Sequence, residues 1–168
     1  QIYRRLKKMR EKYIDTLAKL YDYATAVYSK KTYTQWYDKK EGSYTYATFK
    51  NECDALSKVL TQYGIGAGDK VAILSTNMPN WSVAFFATVV FGRISIPILP
   101  DSSENEVTNI INHSESKVLF VAKKMVGKVS KEVMEKMTLV IELDTLEIIK
   151  ADEEKFTCDG RTAVPTPD

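Results

Sequence analysis

The chain has 168 residues, 44% hydrophobic and 27% charged, the balance of an ordinary globular domain, which excludes disorder, collagen-like repeats and low-complexity architecture. It is long enough for one domain with a real core, or one domain with an arm. Basic and acidic residues number 24 and 22, a net +2 that gives no field to argue for a nucleic-acid partner, and two cysteines cannot supply a disulfide framework, so the setting reads as reducing and cytoplasmic.

Residues 1–26 read as a basic amphipathic helix. Residues 1–15 carry six basic and two acidic side chains (+4), against 18 basic and 20 acidic (−2) in the rest. Leu6, Met9, Tyr13, Leu17 and Leu20 recur at helical spacing, a stripe expected to pack on the domain, with weak peripheral contact to an anionic membrane as the alternative. The chain opens on Gln1 without an apolar leader, so it reads as part of a longer gene product.

Residues 27–46 read as a β-hairpin. Thr32, Tyr33, Thr34, Trp36 and Tyr37 face Ser43, Tyr44, Thr45 and Tyr46 across Asp38-Lys-Lys-Glu-Gly42. All ten tyrosines lie at or before Tyr63, and the lysines among them raise single-stranded nucleic acid as a ligand. Cross-strand aromatic pairing is the preferred reading, because such pairs hold short strands in register.

Residues 47–150 read as an α/β subdomain. A helix from about Ala47 places Phe49, Cys53, Leu56, Leu60 and Tyr63 on one stripe, ends at Gly64, and makes Cys53 a core thiol rather than a nucleophile. Gly64, Gly66 and Gly68 precede a strand instead of joining a strand to a helix, the wrong order for a phosphate cradle, so they read as turn residues. The uncharged run Val71–Gly92 is broken by Ser75, Thr76, Asn77, Pro79, Asn80 and Ser82 and is not a membrane span.

From Lys70 a rhythm repeats: strand Lys70–Ser75, helix Pro79 to about Phe91, strand Ile94–Ile98, helix Ser103–His113, strand Lys117–Val121, helix Met125–Met137, strand Leu139–Leu143. Pro79 suits a first helical turn, Gly92 a helix end, and Ser103 with Glu106 a capping box. This βαβαβαβ order predicts a parallel sheet with helices on both faces. Ligands of such sheets sit at strand carboxyl ends, here Thr76 and Asn77, Leu99 to Asp101, and Ala122 and Lys123. Asp101 and His113 read as capping and helix-end residues, no catalytic or metal-ligating set is evident, and residues 151–168 read as a linker.

Four segments in order, SYTYATF, YGIGAGDKVAILSTNMPNW, FFATVVFGRISIPILP and IINHSESKVLFV, closely resemble the start of the AMP-forming acyl-CoA synthetases, over about residues 17 to 143. The Ile-Asn-His113-Ser-Glu-Ser and Pro97-Ile-Leu-Pro segments look most like the long-chain fatty acid branch. Thr48 stands where the family usually has an acidic residue, and Arg93 where a small residue usually follows the glycine; both read as surface substitutions.

The resemblance implies the N-terminal part of a larger synthetase that uses ATP, magnesium and coenzyme A to make an acyl-adenylate and then an acyl-CoA from a fatty acid. The linker would lead to a Ser/Thr/Gly-rich phosphate loop ending in Pro-Lys, with the remainder of the synthetase as partner. This chain is then expected to be inert by itself, to bind none of these cofactors alone, and to leave its oligomeric state open. The resemblance places Leu99, Pro100 and Asp101 near the coenzyme A side. The rival readings are a stand-alone α/β binding or regulatory module and a nucleic-acid binder.

Overall fold

A computed structural model describes residues 14–37 and 42–155. The basic run 1–13, the hairpin tip 38–41 and the linker 156–168 with Cys158 lie outside the described residues. The chain divides into two compact units, residues 1–51 and 52–168.

In the first unit, α1 (Leu17–Val27) starts at Thr16, whose side chain accepts the backbone N–H of Lys19 at 3.2 Å. Its buried residues are Tyr21 and Thr25, while Leu17 and Leu20 are exposed. The stripe expected to pack therefore does so at neither of its two described helical positions. Strands β1 (Thr32–Gln35) and β2 (Ser43–Thr45) pair antiparallel, as the aromatic and threonine runs predict. The rings interlock: Tyr33 stacks on Phe49 at 4.1 Å between centroids, meets Tyr46 at 5.1 Å, and Trp36 lies 5.6 Å from Tyr44. Gly42 is required by this packing, since a Cβ there would stand 2.7 Å from the Trp36 ring.

Helix α2 (Tyr46–Gln62) follows β2 directly. Thr48 accepts the N–H of Thr45 at 2.9 Å and Thr45 accepts that of Thr48 at 3.1 Å, so a threonine does the reciprocal capping that an acidic residue at this place would do. In the second unit Cys53, Leu56 and Leu60 of α2 are buried, and Gly64 at φ +72° ends the helix region.

The second unit is a five-stranded sheet in the order β4-β3-β5-β6-β7. Strands β3 (Lys70–Leu74), β4 (Ile94–Ile98), β5 (Val118–Val121) and β6 (Leu139–Glu142) are parallel, with Ala72 opposite both Ile96 and Leu119 and Leu119 opposite Val140. A fifth strand that the periodicity did not reveal, β7 (Glu147–Ala151), closes the far edge antiparallel to β6.

Handedness assigns the helices. The β3-to-β4 step runs one way along the sheet and the β4-to-β5 and β5-to-β6 steps run the other, so right-handed crossovers put their helices on opposite faces. Helix α3 (Pro79–Val89) covers one face with α2, where the Cys53 thiol meets the Val83 carbonyl at 3.7 Å. Helices α4 (Glu104–Ser114) and α5 (Lys131–Lys136) cover the other, joining Val107, Ile111, Val133 and Met137 to Ala72, Leu74, Leu119, Val121 and Val140 in one core. The helix expected over Met125–Met137 is two pieces: a 3-10 helix at Lys123–Lys128, then α5. Val129 is extended and Ser130 caps the new start, accepting the N–H of Val133 at 3.3 Å.

Arg93 is a correction. It is 5% exposed, not a surface residue, and donates to Ile65 O (3.0 Å), Ser57 Oγ (2.8 Å), Ser57 O (3.2 Å), Ala87 O (3.2 Å) and Thr61 Oγ1 (2.8 Å). Burial pulls its pKa down to about 10, partly offset by the Asp69 charge, so the guanidinium stays protonated at neutral pH. Asp69 accepts the Gly66 N–H at 2.8 Å and Lys117 Nζ at 2.6 Å. Desolvation works against its charge, but the bonds from Lys117 and Gly66 and the charges of Lys117 and Arg93 win and lower its pKa.

Two outcomes follow from this arrangement. Arg93→Met is expected to destabilise the second unit by about 3 kcal/mol in urea melts, because it orphans buried acceptors; a loss below about 1 kcal/mol would contradict the buried network. Asp69 has a folded pKa below its unfolded one, so its contribution is present above the unfolded carboxylate pKa and is lost as pH falls through the folded value. Asp69→Asn is expected to flatten the acid limb of the stability-against-pH curve, and an unchanged limb would show that the carboxylate does not contribute.

Candidate functional site

The order β4-β3-β5 puts the topological switch between β3 and β5, where the following connections leave toward opposite faces. Three predicted segments lie along this carboxyl edge. Thr76 is half-buried, Asn77 exposed, and Lys123 and Lys124 are exposed after β5. The Ala122 N–H donates to Leu74 O at 2.9 Å, tying the end of β5 to the end of β3, and Ser75 Oγ donates to Thr76 O at 2.7 Å.

Leu99, Pro100 and Asp101 form a turn after β4, closed by the Ser102 N–H on Leu99 O at 3.1 Å. Leu99 is 75% exposed, which leaves an isobutyl group in water beside the edge. Lys128, from the 3-10 helix after β5, holds the turn by donating to Pro100 O at 2.7 Å and Ser102 O at 3.0 Å. Asp101 is exposed, and capping of α4 falls to Ser103. Its hydroxyl accepts the Glu106 N–H at 3.3 Å while Glu106 Oε2 accepts the Ser103 N–H at 2.7 Å. Those bonds, with the nearby Lys128 charge, lower the Glu106 pKa.

The fourth loop was not anticipated. Asp144, after β6, accepts the Lys123 N–H at 2.6 Å, and the buried Asn80 of α3 donates to Leu143 O at 2.8 Å and Asp144 O at 3.2 Å. Asn80, Lys128 and Asp144 thus brace loops far from them in sequence, and a lone Asn, Lys or Asp carries no periodic or motif signal that could have shown it.

The edge offers an amide, a hydroxyl, two exposed ammonium groups, backbone carbonyls and one exposed apolar side chain. These can bind and orient, but they contain no paired nucleophile and base. Cys53 is fully buried in the helix layer, and His113 is exposed in the last turn of α4, which runs back from the carboxyl edge to the amino edge. Gly64 and Gly68, at φ +72° and +82°, shape the turn before β3 at that amino edge, as their order in the sequence predicts. Among the described residues no group of three or more His, Cys, Asp or Glu is placed to hold a metal ion.

Solved structures share this fold. A long-chain-fatty-acid CoA ligase homologue of Rhodopseudomonas palustris superposes with a TM-score of 0.68 at 19% identity, covering 84% of this chain and 37% of that one. The N-terminal subdomain of Klebsiella oxytoca NpsA, solved with 3-hydroxyanthranilyl-AMSN, superposes with a TM-score of 0.63 at 20% identity, covering 80% of this chain and 33% of that one. Both show the fold alone.

Among curated proteins, fatty acyl-CoA synthetase A of Dictyostelium discoideum is 28% identical over 95 residues, 55% of this chain and 14% of that protein. Long chain acyl-CoA synthetase 2 of Arabidopsis thaliana is 27% identical over 127 residues, 72% of this chain and 19% of that protein. The match therefore spans less than a fifth of either relative's length. The family model of the AMP-binding enzymes matches residues 21–168, nearly the whole chain, and the chain belongs to that family.

Proposed function

We propose that this chain is the N-terminal part of an ATP-dependent, AMP-forming ligase that activates a fatty acid as its acyl-adenylate and passes the acyl group to coenzyme A. The observation that carries the reading is the family match over residues 21–168, with fatty acyl-CoA synthetases among the relatives. Long-chain selectivity is the finer part of the proposal, supported by the Ile-Asn-His113-Ser-Glu-Ser and Pro97-Ile-Leu-Pro segments. A cytoplasmic location goes with this reading.

The described carboxyl edge gathers no metal-ligand set, and no Ser/Thr/Gly-rich loop ending in Pro-Lys occurs in the sequence. Adenylation is therefore assigned to the remainder of the synthetase, and this part acts as its scaffold. Within the scaffold, the turn Leu99-Pro100-Asp101 is proposed to border coenzyme A: it is exposed, apolar at Leu99 and fixed in place by Lys128.

The purified 168-residue chain is expected to give no ATP–pyrophosphate exchange, while the full-length protein gives exchange dependent on a fatty acid. Exchange by the short chain would refute the scaffold assignment, and exchange driven by aromatic acids but not fatty acids would refute the substrate class. In the full-length enzyme, Lys128→Met is expected to raise the KM for coenzyme A roughly fivefold while leaving exchange within about twofold, since the first half-reaction does not use the thiol. An unchanged KM would remove this turn from the coenzyme A side.

A further inference from the structure

The loops of the carboxyl edge are joined by hydrogen bonds in one line. Asn80, in the first turn of α3, donates to Leu143 O at 2.8 Å and Asp144 O at 3.2 Å in the loop after β6. Asp144 Oδ2 accepts the Lys123 N–H at 2.6 Å, where the 3-10 helix after β5 begins. Lys128, at the other end of that helix, donates to Pro100 O at 2.7 Å and Ser102 O at 3.0 Å in the turn after β4. In the sheet order β4-β3-β5-β6 the line therefore runs from the loop of β6 to that of β4.

The 3-10 helix can carry position along this line. Its six residues rise about 2 Å each, so its ends stand on the order of 10 Å apart. Met125, 5% exposed, pins its middle in the core shared with Val107, Ile111 and Val133. A helix start leaves backbone donors without partners, and the N-cap Ala122 makes no side-chain bond to them. Asp144, 21 residues away, supplies that cap instead.

The turn at the far end depends on what reaches it. Leu99 is 75% exposed and Asp101 is exposed, so packing does little to fix them. One backbone bond closes the turn, from the Ser102 N–H to Leu99 O, and Pro100 has no N–H to add another. The two bonds from Lys128 are then a large part of its restraint, and they hold it only as firmly as the helix that carries Lys128 is itself held.

We propose that Asp144 is a positioning residue: acting through the 3-10 helix and Lys128, it fixes the place of the Leu99-Pro100-Asp101 turn. Its effect on coenzyme A rests on the ligase reading above, in which this turn borders that molecule. The effect on the turn itself does not.

The test is saturation-transfer NMR of amide exchange in the 168-residue chain, read at Ser102. Asp144→Ala is expected to speed this amide roughly fivefold, whereas Asp144→Asn, whose side-chain oxygen still accepts, is expected to stay within about twofold of the parent. Asp144 is exposed, so circular dichroism of both variants should match the parent. Combining Asp144→Ala with Lys128→Met is expected to speed exchange no more than Lys128→Met alone, because both cut the same line. Ile111→Val, which removes a methyl group from the same core, is expected to lower the melting temperature without speeding Ser102. Unchanged Ser102 exchange in Asp144→Ala, an equal effect of Ile111→Val, failure of Asp144→Asn to rescue, or additive effects in the double variant would overturn the proposal. In the full-length enzyme Asp144→Ala is expected to raise the KM for coenzyme A roughly threefold, with rescue by Asp144→Asn. Faster Ser102 exchange with an unchanged KM would support the positioning role and overturn the placement of coenzyme A at this turn.

Discussion

A parallel sheet must be covered on both faces, and that constraint organises the second unit. Val71–Leu74, Val118–Val121 and Leu139–Ile141 have no exposed surface, so successive side chains point into two different helix layers. Each fully buried aliphatic side chain contributes about 1.5–3 kcal/mol, more than any single polar contact at the sheet edge. Burial therefore decides where the helices lie, and right-handed crossovers decide which helix lies on which face. The carboxyl edge is the by-product: it is where the connections part, and its polar groups are left facing solvent or one another.

Polar residues then perform two kinds of work. At the amino edge, Arg93 joins α2, the turn before β3 and the end of α3 through five hydrogen bonds, and its buried charge sits near the Asp69–Lys117 pair. At the carboxyl edge, Asn80, Asp144 and Lys128 brace the loops. The first set stabilises the second unit, while the second positions the loops of the carboxyl edge.

Much of the fold was legible in the residues, for local reasons. Apolar runs marked β3, β5 and β6; Pro79, Gly92 and the Ser103–Glu106 box marked helix ends; aromatic alternation marked the hairpin. Three features were not. Met125, Val126, Val129, Val133, Met134 and Met137 read as one helix, but Ser130 caps a new start and breaks it. Strand β7 lies at an edge with Ile148 and Ile149 exposed, so it lacks the pattern of a half-buried strand, and its turn bends at Leu146 with φ +61°, where glycine or asparagine would have been the signal. Arg93 reads as a surface substitution because its partners stand as far as 36 residues away, and only tertiary packing brings them together. The turn Leu99-Pro100-Asp101 follows β4, at the carboxyl edge where the strand rhythm put it, whereas the lysine that holds it carried no sequence signal.

The most direct measurement of the organising constraint is native-state amide hydrogen exchange on the 168-residue chain. If burial of both faces holds the second unit together, amides of Val71–Leu74 and Val118–Val121 exchange slowest, as one cooperative group, with β7 and the Leu99–Asp101 turn far faster. Exchange of β3 and β5 as rapid as that of β7 would contradict it.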